Sequence, residues 1–248
     1  MRVMKNNCNN TIYNPTWAEL LPAVRSKTII AFDMDSVLTE GEFLRKYVAD
    51  YFGMPIEDTR HSPDGYEKFN FKVPGDVNEK EIVEVINRCI LEESPSALPT
   101  PFMAEVMRWV YEVTGKPISV VTLRHSMSMG VTHDWLVEHL DGIPFNAYVI
   151  NGRPKNDMLR MLGVNIFIDD RWKTIGNLIS HIKYPVLYNR PWNIGRPLDL
   201  EVLRVRDLRD IIPLLNIELG RVPMDWPWYV PYPRPQGERI TKKYASIC

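Results

Sequence analysis

The stretch Thr28-Ile29-Ile30-Ala31-Phe32-Asp33-Met34-Asp35-Ser36-Val37-Leu38-Thr39 decides how the chain is read. A short apolar run rich in β-branched residues ends in two aspartates spaced by one residue. Such a run reads as a buried parallel strand. On an extended backbone, residues i and i+2 point the same way, so Asp33 and Asp35 are expected to face one spot. Buried carboxylates are costly unless a cation or hydrogen bonds compensate them. A hard metal ion such as Mg²⁺, which prefers oxygen ligands, is the simplest compensation. Taken alone, the D-x-D pattern fits equally a strand that runs out into a polar turn.

The 248 residues are enough for one large domain or two small ones, and 45% apolar content permits a full core. A net charge of −1 gives no support for an extended basic surface, so a polymeric nucleic acid is not the expected partner. Cys8, Cys89 and Cys248 are odd in number and form no C-x-x-C pair, which fits a reducing cytoplasm rather than a disulfide scaffold. No apolar run reaches membrane-spanning length. Residues 1–10 are polar and lack a signal-peptide core.

In chain order, residues 1–13 read as a loose polar arm. Asn14 to Ser26 reads as a helix, with Pro15 at its first position and Thr16 and Glu19 as a capping box. From Gly41, Leu44, Tyr47, Val48, Tyr51 and Phe52 share one helical face. Residues 54–78 read as a long loop carrying Tyr66, Phe69 and Phe71. A second helix follows, with Ile82, Val85, Ile86, Cys89 and Ile90 on its face. Helical spacing returns from Pro101 to Thr114, with Gly115 as its stop. Strands are expected at 118–122, 147–150, 164–170 and 185–188, and helices at 128–140, 154–162 and 174–182. Val205 to Ile212 reads as the last helix, with Pro213 discouraging its continuation.

Strands that alternate with helices argue for an α/β fold, a Rossmann-like parallel sheet covered on both faces. All strand C-termini then lie on one edge, where open α/β sheets bind ligands. Asp33, Asp35, Thr122, Asp169 and Asp170 all sit at such ends. A βαβ unit takes about 30 residues. Strand one and strand two are much further apart than that. The excess, roughly Glu40 to Thr100, reads as a small helical cap inserted over the edge. The core is then 1–39 with 101–220, and residues 221–248 form a tail.

D-x-D at a strand end, a second strand ending in Thr122, Lys155 near a helix start, and Ile168-Asp169-Asp170 occur in one order. This set resembles the haloacid dehalogenase superfamily of phosphohydrolases over roughly residues 28–190. Phe32 to Thr39, Phe167 to Arg171 and the helical insert are most similar to its 5′(3′)-deoxyribonucleotidase branch. Ser36 departs from that branch, which usually has Gly there. The resemblance implies a Mg²⁺-dependent phosphomonoesterase acting on a small phosphate ester, most of all a (deoxy)nucleoside monophosphate. Asp33 is then the nucleophile that forms an aspartyl-phosphate. Asp35 protonates the leaving oxygen and later activates water. Two carboxylates ~4 Å apart repel by about 4 kcal/mol at an effective dielectric of roughly 20, which raises one of their pKa values; a bound Mg²⁺ opposes that shift.

Mg²⁺ would take Asp33, the backbone carbonyl of Asp35, and Asp169, with Asp170 beside them. For Asp169 and Asp170 the competing reading is a helix N-cap pair. Thr122 is placed to hydrogen-bond a phosphoryl oxygen, and Lys155 to neutralise charge on Asp33 and the phosphoryl group. Arg124 and His125 are candidates for binding substrate, or else are surface residues. Tyr66 and Phe69 stack on a base or fill a small cap core. Asn189 to Asn193 lines the same edge or is a simple turn. The tail 221–248 holds five prolines, two tryptophans and three tyrosines, so it cannot be a regular helix. It wraps the core or forms an arm for a partner. A polynucleotide-end or sugar phosphatase, a phosphotransferase and a catalytically silent binding protein are the rival functions.

Overall fold

The structure is a computed structural model that describes Met4–Lys5, Thr11–Tyr13 and residues 30–56, 79–193 and 202–218. Its strands are β1 (Met4–Lys5), β2 (Thr11–Tyr13), β3 (Ile30–Phe32), β4 (Ile118–Thr122), β5 (Phe145–Val149), β6 (Ile166–Asp169), β7 (Tyr184–Tyr188) and β8 (Leu203–Val205). The helices are α1 (Glu42–Phe52), α2 (Glu79–Glu92), α3 (Met103–Thr114), α4 (Met129–Leu140), α5 (Lys155–Met161), α6 (Trp172–Leu178) and α7 (Ile211–Glu218). Among the described residues the strands form one sheet in the order β1-β2-β5-β4-β3-β6-β7-β8. Every pairing is parallel except β1 with β2.

Side-chain alternation sorts the core into two layers. Ile30 and Phe32 of β3, Val120 of β4, and Ile166 and Ile168 of β6 point to one face. There they meet Val106 and Met107 of α3, Trp135 and Leu136 of α4, and Ile211 and Leu215 of α7. Ala31, Val121 and Phe167 point to the other face, against Met158 and Leu159 of α5 and Ile175 and Leu178 of α6. The sheet is thus covered on both sides, the arrangement that parallel strands require. Fully burying a side chain such as Phe32 contributes about 1.5–3 kcal/mol.

The order also positions the site. After β3 the chain builds outward through β4 and β5, then crosses back to add β6 on the other flank of β3. The reversal beside β3 is the switch point where such sheets open a crevice at their carboxyl edge. Between β3 and β4 lie α1 and α2, which pack on each other through Val48, Ile82 and Val85. The two chain passages leading in and out are bonded together: the Glu40 amide donates to the Leu98 carbonyl, and the Thr100 amide to the Leu38 carbonyl, each at 2.8 Å.

Several expectations change. The polar arm contains β1 and β2, with Ile12 of β2 in register with Ala147 of β5. Strands of two and three residues are too short to show a period. Val205 closes a strand, β8, instead of opening a helix. Asp207 then starts a new turn: its side chain accepts from the Arg209 amide and the Asp210 side chain reaches back, a capping box. Pro213 lies in the first turn of α7, where the missing N–H would have had no helical partner. The helix expected at 14–26, most of the long loop with Tyr66, Phe69 and Phe71, and the tail 221–248 lie outside the described residues. No helix among the described residues is long and apolar enough to cross a membrane.

Candidate active site

Asp33 follows β3 directly, and its amide still donates to the Ile168 carbonyl of β6 at 2.9 Å. That bond holds the ends of β3 and β6 side by side, so Asp33 and the Asp169-Asp170 pair meet. Asp33, Asp169 and Asp170 are buried, and one carboxylate oxygen of each lies within 4.8 Å of the others. Lys155, the first residue of α5, reaches in from the other side. Its Nζ is 2.8 Å from Asp33 Oδ1 and 2.7 Å from Asp169 Oδ2. Asp33 Oδ1 also accepts from the Met34 amide at 2.8 Å, whereas Oδ2 accepts from none of the described residues. Asp169 Oδ1 accepts from the Arg171 amide at 2.7 Å.

The electrostatics follow from burial. Desolvation pushes Asp33 up to about 7; Lys155 opposes this, and the charges of Asp169 and Asp35 add to it. Desolvation pushes Asp170 up to about 8, helped by Asp169 and Asp33 and opposed by a hydrogen bond from Trp192. Burial alone would lower Lys155, but the two carboxylates bonded to it raise it above its ordinary value. Lys155 therefore remains an ammonium and neutralises one of the three charges that the carboxylates carry once ionised. A divalent cation would balance the remainder, and three clustered carboxylate oxygens are the hard donors Mg²⁺ takes. The residues present therefore fit Mg²⁺.

The Asp35 carboxylate is not one of these clustered groups. The strand ends at Phe32, so the i, i+2 geometry expected of Asp33 and Asp35 gives way to a turn. Ser36 in that turn has φ of +65°, in the left-handed region that Gly adopts freely, so the position departs from Gly at a cost in strain. The Asp35 carboxylate is gripped by Arg124 instead. Nη2 donates to Oδ1 at 2.6 Å, and Nε donates to Oδ2 at 2.9 Å. The Arg124 side chain is fully buried, while that of Asp35 is 23% exposed. Nη1 is bonded to Thr132 Oγ1 at 3.0 Å and Ser94 Oγ at 3.4 Å. The guanidinium, one candidate for binding substrate, is thus paired with Asp35 and is not a surface group. Ser94 and Thr132 carried no sequence signal, because no local period links either to Arg124.

The loops after β4 and β5 are laced together, which sets Arg124 and Lys155 at one edge. The amides of Ile150, Asn151 and Gly152 donate to the carbonyls of Thr122, Arg124 and Leu123. Thr122 is buried, and its Oγ1 accepts from the Arg124 amide at 3.3 Å. His125 turns its Nδ1 to the Met127 amide at 3.2 Å, capping a short 3₁₀ turn. The 189–193 segment proves to be built into the site. Trp192 Nε1 donates to Asp170 Oδ2 at 2.7 Å, and Asn193 Nδ2 donates to the Asp170 carbonyl at 2.8 Å.

No protein-family model and no curated protein matches the chain. Solved structures resemble it in overall architecture. One is a HAD-superfamily hydrolase, subfamily IA, from Geobacter sulfurreducens, at 16% identity over 76% of this chain and 100% of that one, with a TM-score of 0.46. A haloacid dehalogenase-like hydrolase from Streptococcus pneumoniae is 12% identical over 76% of this chain and 98% of that one, at 0.49. Another from Xanthomonas campestris is 12% identical over 79% of this chain and 99% of that one, also at 0.49.

Proposed function

We propose that the chain is a Mg²⁺-dependent phosphomonoesterase that works through an aspartyl-phosphate on Asp33. One observation carries the reading: Asp33, Asp169, Asp170 and Lys155 converge, buried, at the carboxyl edge of a parallel sheet. The Oδ2 of Asp33, which no described residue bonds, is the oxygen that attacks phosphorus. The bond to the leaving oxygen breaks, and Asp35 gives that oxygen its proton. Water then attacks the same phosphorus. Its proton passes to Asp35, the bond to Asp33 breaks, and phosphate leaves. Lys155 and Thr122 hold the charge and orientation of the phosphoryl oxygens. When bound at Asp33, Asp169 and Asp170, Mg²⁺ supplies further neutralisation of that charge.

Arg124 acts on this chemistry through Asp35, which it holds at a fixed angle to the reacting centre. The 40–100 insert serves as a cap, with His125, Tyr66 and Phe69 recognising the organic part of the ester. We take that part to be a (deoxy)nucleoside, on the pattern of Phe32 to Thr39 and Phe167 to Arg171 alone. The test is phosphate release from a panel of nucleoside monophosphates, sugar phosphates and DNA 3′-phosphate ends, with Mg²⁺. Hydrolysis of nucleotides by the wild type and none by Asp33→Asn is expected. Retained turnover in Asp33→Asn refutes the mechanism, and a preference for sugars or polymer ends refutes the substrate class. No hydrolysis of any member supports a silent binding protein.

A further inference from the structure

The turn that follows β7 touches both the acidic site and the seat of the insert. Its Trp192 is buried and donates its indole N–H to Asp170 Oδ2. Asn193 of the same turn donates to the carbonyls of Asp170 and Tyr188, at 2.8 and 2.7 Å. One turn thus fixes the backbone and the side chain of Asp170 together. The far edge of the indole rests on Gly41, the residue before α1. A methyl group built on Gly41 would lie 3.0 Å from the ring carbon Cη2 and would also strike Ser36 Oγ. Arg190 holds the neighbouring strands of chain. Its Nε donates to the Ser36 carbonyl at 2.6 Å, and its Nη2 donates to Thr100 Oγ1 at 3.1 Å and the Thr39 carbonyl at 3.4 Å. Thr39 and Thr100 lie on the two passages between sheet and insert, and Thr39 bridges Pro99.

We propose that Trp192 is a positioning residue that couples cation occupancy at Asp33, Asp169 and Asp170 to the pairing of the two passages at 38–41 and 98–100, with Arg190 clamping them. The proposal rests on the metal reading given above. A hydrogen-bond donor on a metal-ligating carboxylate orients it, and losing such a donor typically costs 10–100-fold in metal affinity. The indole is rigid and wedged between Asp170 and a glycine that leaves no slack, so a shift at one side is passed to the other. Coupling of this kind is reciprocal: pressure on the ring from Gly41 must change affinity at Asp170.

The experiment combines calorimetric Mg²⁺ titration with hydrogen–deuterium exchange on the full chain, for the wild type, Asp169→Asn, Trp192→Phe, Gly41→Ala and Arg190→Lys. In the wild type, Mg²⁺ is expected to slow exchange in the peptides that carry the Glu40 and Thr100 amides. Trp192→Phe loses both the donor and the far edge of the indole that faces Gly41. It should bind Mg²⁺ about 10–100-fold more weakly and lose the Mg²⁺-dependent protection. Gly41→Ala, whose added methyl meets Ser36 and the indole and not the acidic cluster, should weaken Mg²⁺ binding in the same direction. Arg190→Lys should speed exchange at Glu40 and Thr100 while leaving Mg²⁺ affinity near that of the wild type. Wild-type affinity and protection in Trp192→Phe overturn the coupling. Equal Mg²⁺ binding by the wild type and Asp169→Asn instead overturns the metal reading itself.

Discussion

Lys155→Met is the most informative perturbation of the folded state. The ammonium lies 2.8 Å from one carboxylate and 2.7 Å from another, with all three groups buried. At an effective dielectric of about 20, each attraction is worth ~6 kcal/mol. Desolvating the ammonium removes several kcal/mol of that gain. Deleting one partner of a buried pair typically costs 3–5 kcal/mol, because the other charge is left uncompensated. For a protein of this size that corresponds to a drop of roughly 6–20 °C in melting temperature. The deficit also depends on pH, with a definite sign. Asp33 is pushed up to about 7 from 3.8, so its ionisation destabilises the folded state as pH rises through that window. Lys155 opposes that rise, so removing it moves Asp33 higher still. The variant's deficit should therefore be smallest below about pH 7, where Asp33 holds its proton in both proteins, and grow as pH rises above it. Thermal melts of both proteins without metal, from pH 5 to 8.5, measure it. A pH-independent difference below about 1 kcal/mol, as for a solvated lysine, refutes the reasoning.

Three other outcomes follow from the geometry. Ser36→Gly removes a left-handed strain of about 1–2 kcal/mol at the price of about 0.5–1 kcal/mol of chain entropy, so the melting temperature should rise by about 1–4 °C; a fall would show that the Ser36 side chain contributes more than its backbone costs. Arg124→Met frees Asp35, so turnover of a nucleotide should fall about 10²-fold or more, while p-nitrophenyl phosphate, whose leaving group needs little protonation, should suffer less; equal losses on both would place Arg124 outside the proton transfer. Mg²⁺ binding displaces protons from Asp33 and Asp170, pushed up to about 7 and about 8, so affinity should tighten as pH rises from 6 to 8 and calorimetry in two buffers should detect proton release; pH-independent affinity would contradict it.

Much of the site was legible because its residues end strands. β-branched runs announce buried parallel strands, and an acid or threonine after each run marks the edge, which placed Asp33, Thr122, Asp169 and Asp170 correctly relative to the sheet. Lys155 stood out as a cation in a helix first turn, where the macrodipole disfavours it. The partners of these residues were not legible. Arg124 meets Asp35, and Trp192 meets Asp170, through contacts between segments far apart in the chain, and no local period encodes such a meeting. The strand ends at Phe32 and a turn follows, so strand alternation does not describe how Asp35 is placed. Short edge strands escaped for a related reason. Leu203-Arg204-Val205 is held by pairing with β7, and its Val205 happens to fall at helical spacing with Leu208, Ile211 and Ile212.

The most direct measurement is an anomalous difference map from crystals of the protein grown with Mn²⁺ in place of Mg²⁺. One peak is expected at the carboxyl edge of the sheet, about 2.1 Å from carboxylate oxygens of Asp33 and Asp169 and beside Asp170. A map with no peak there, or with an ion held only by residues elsewhere, would contradict the convergence of those acids on a single cation.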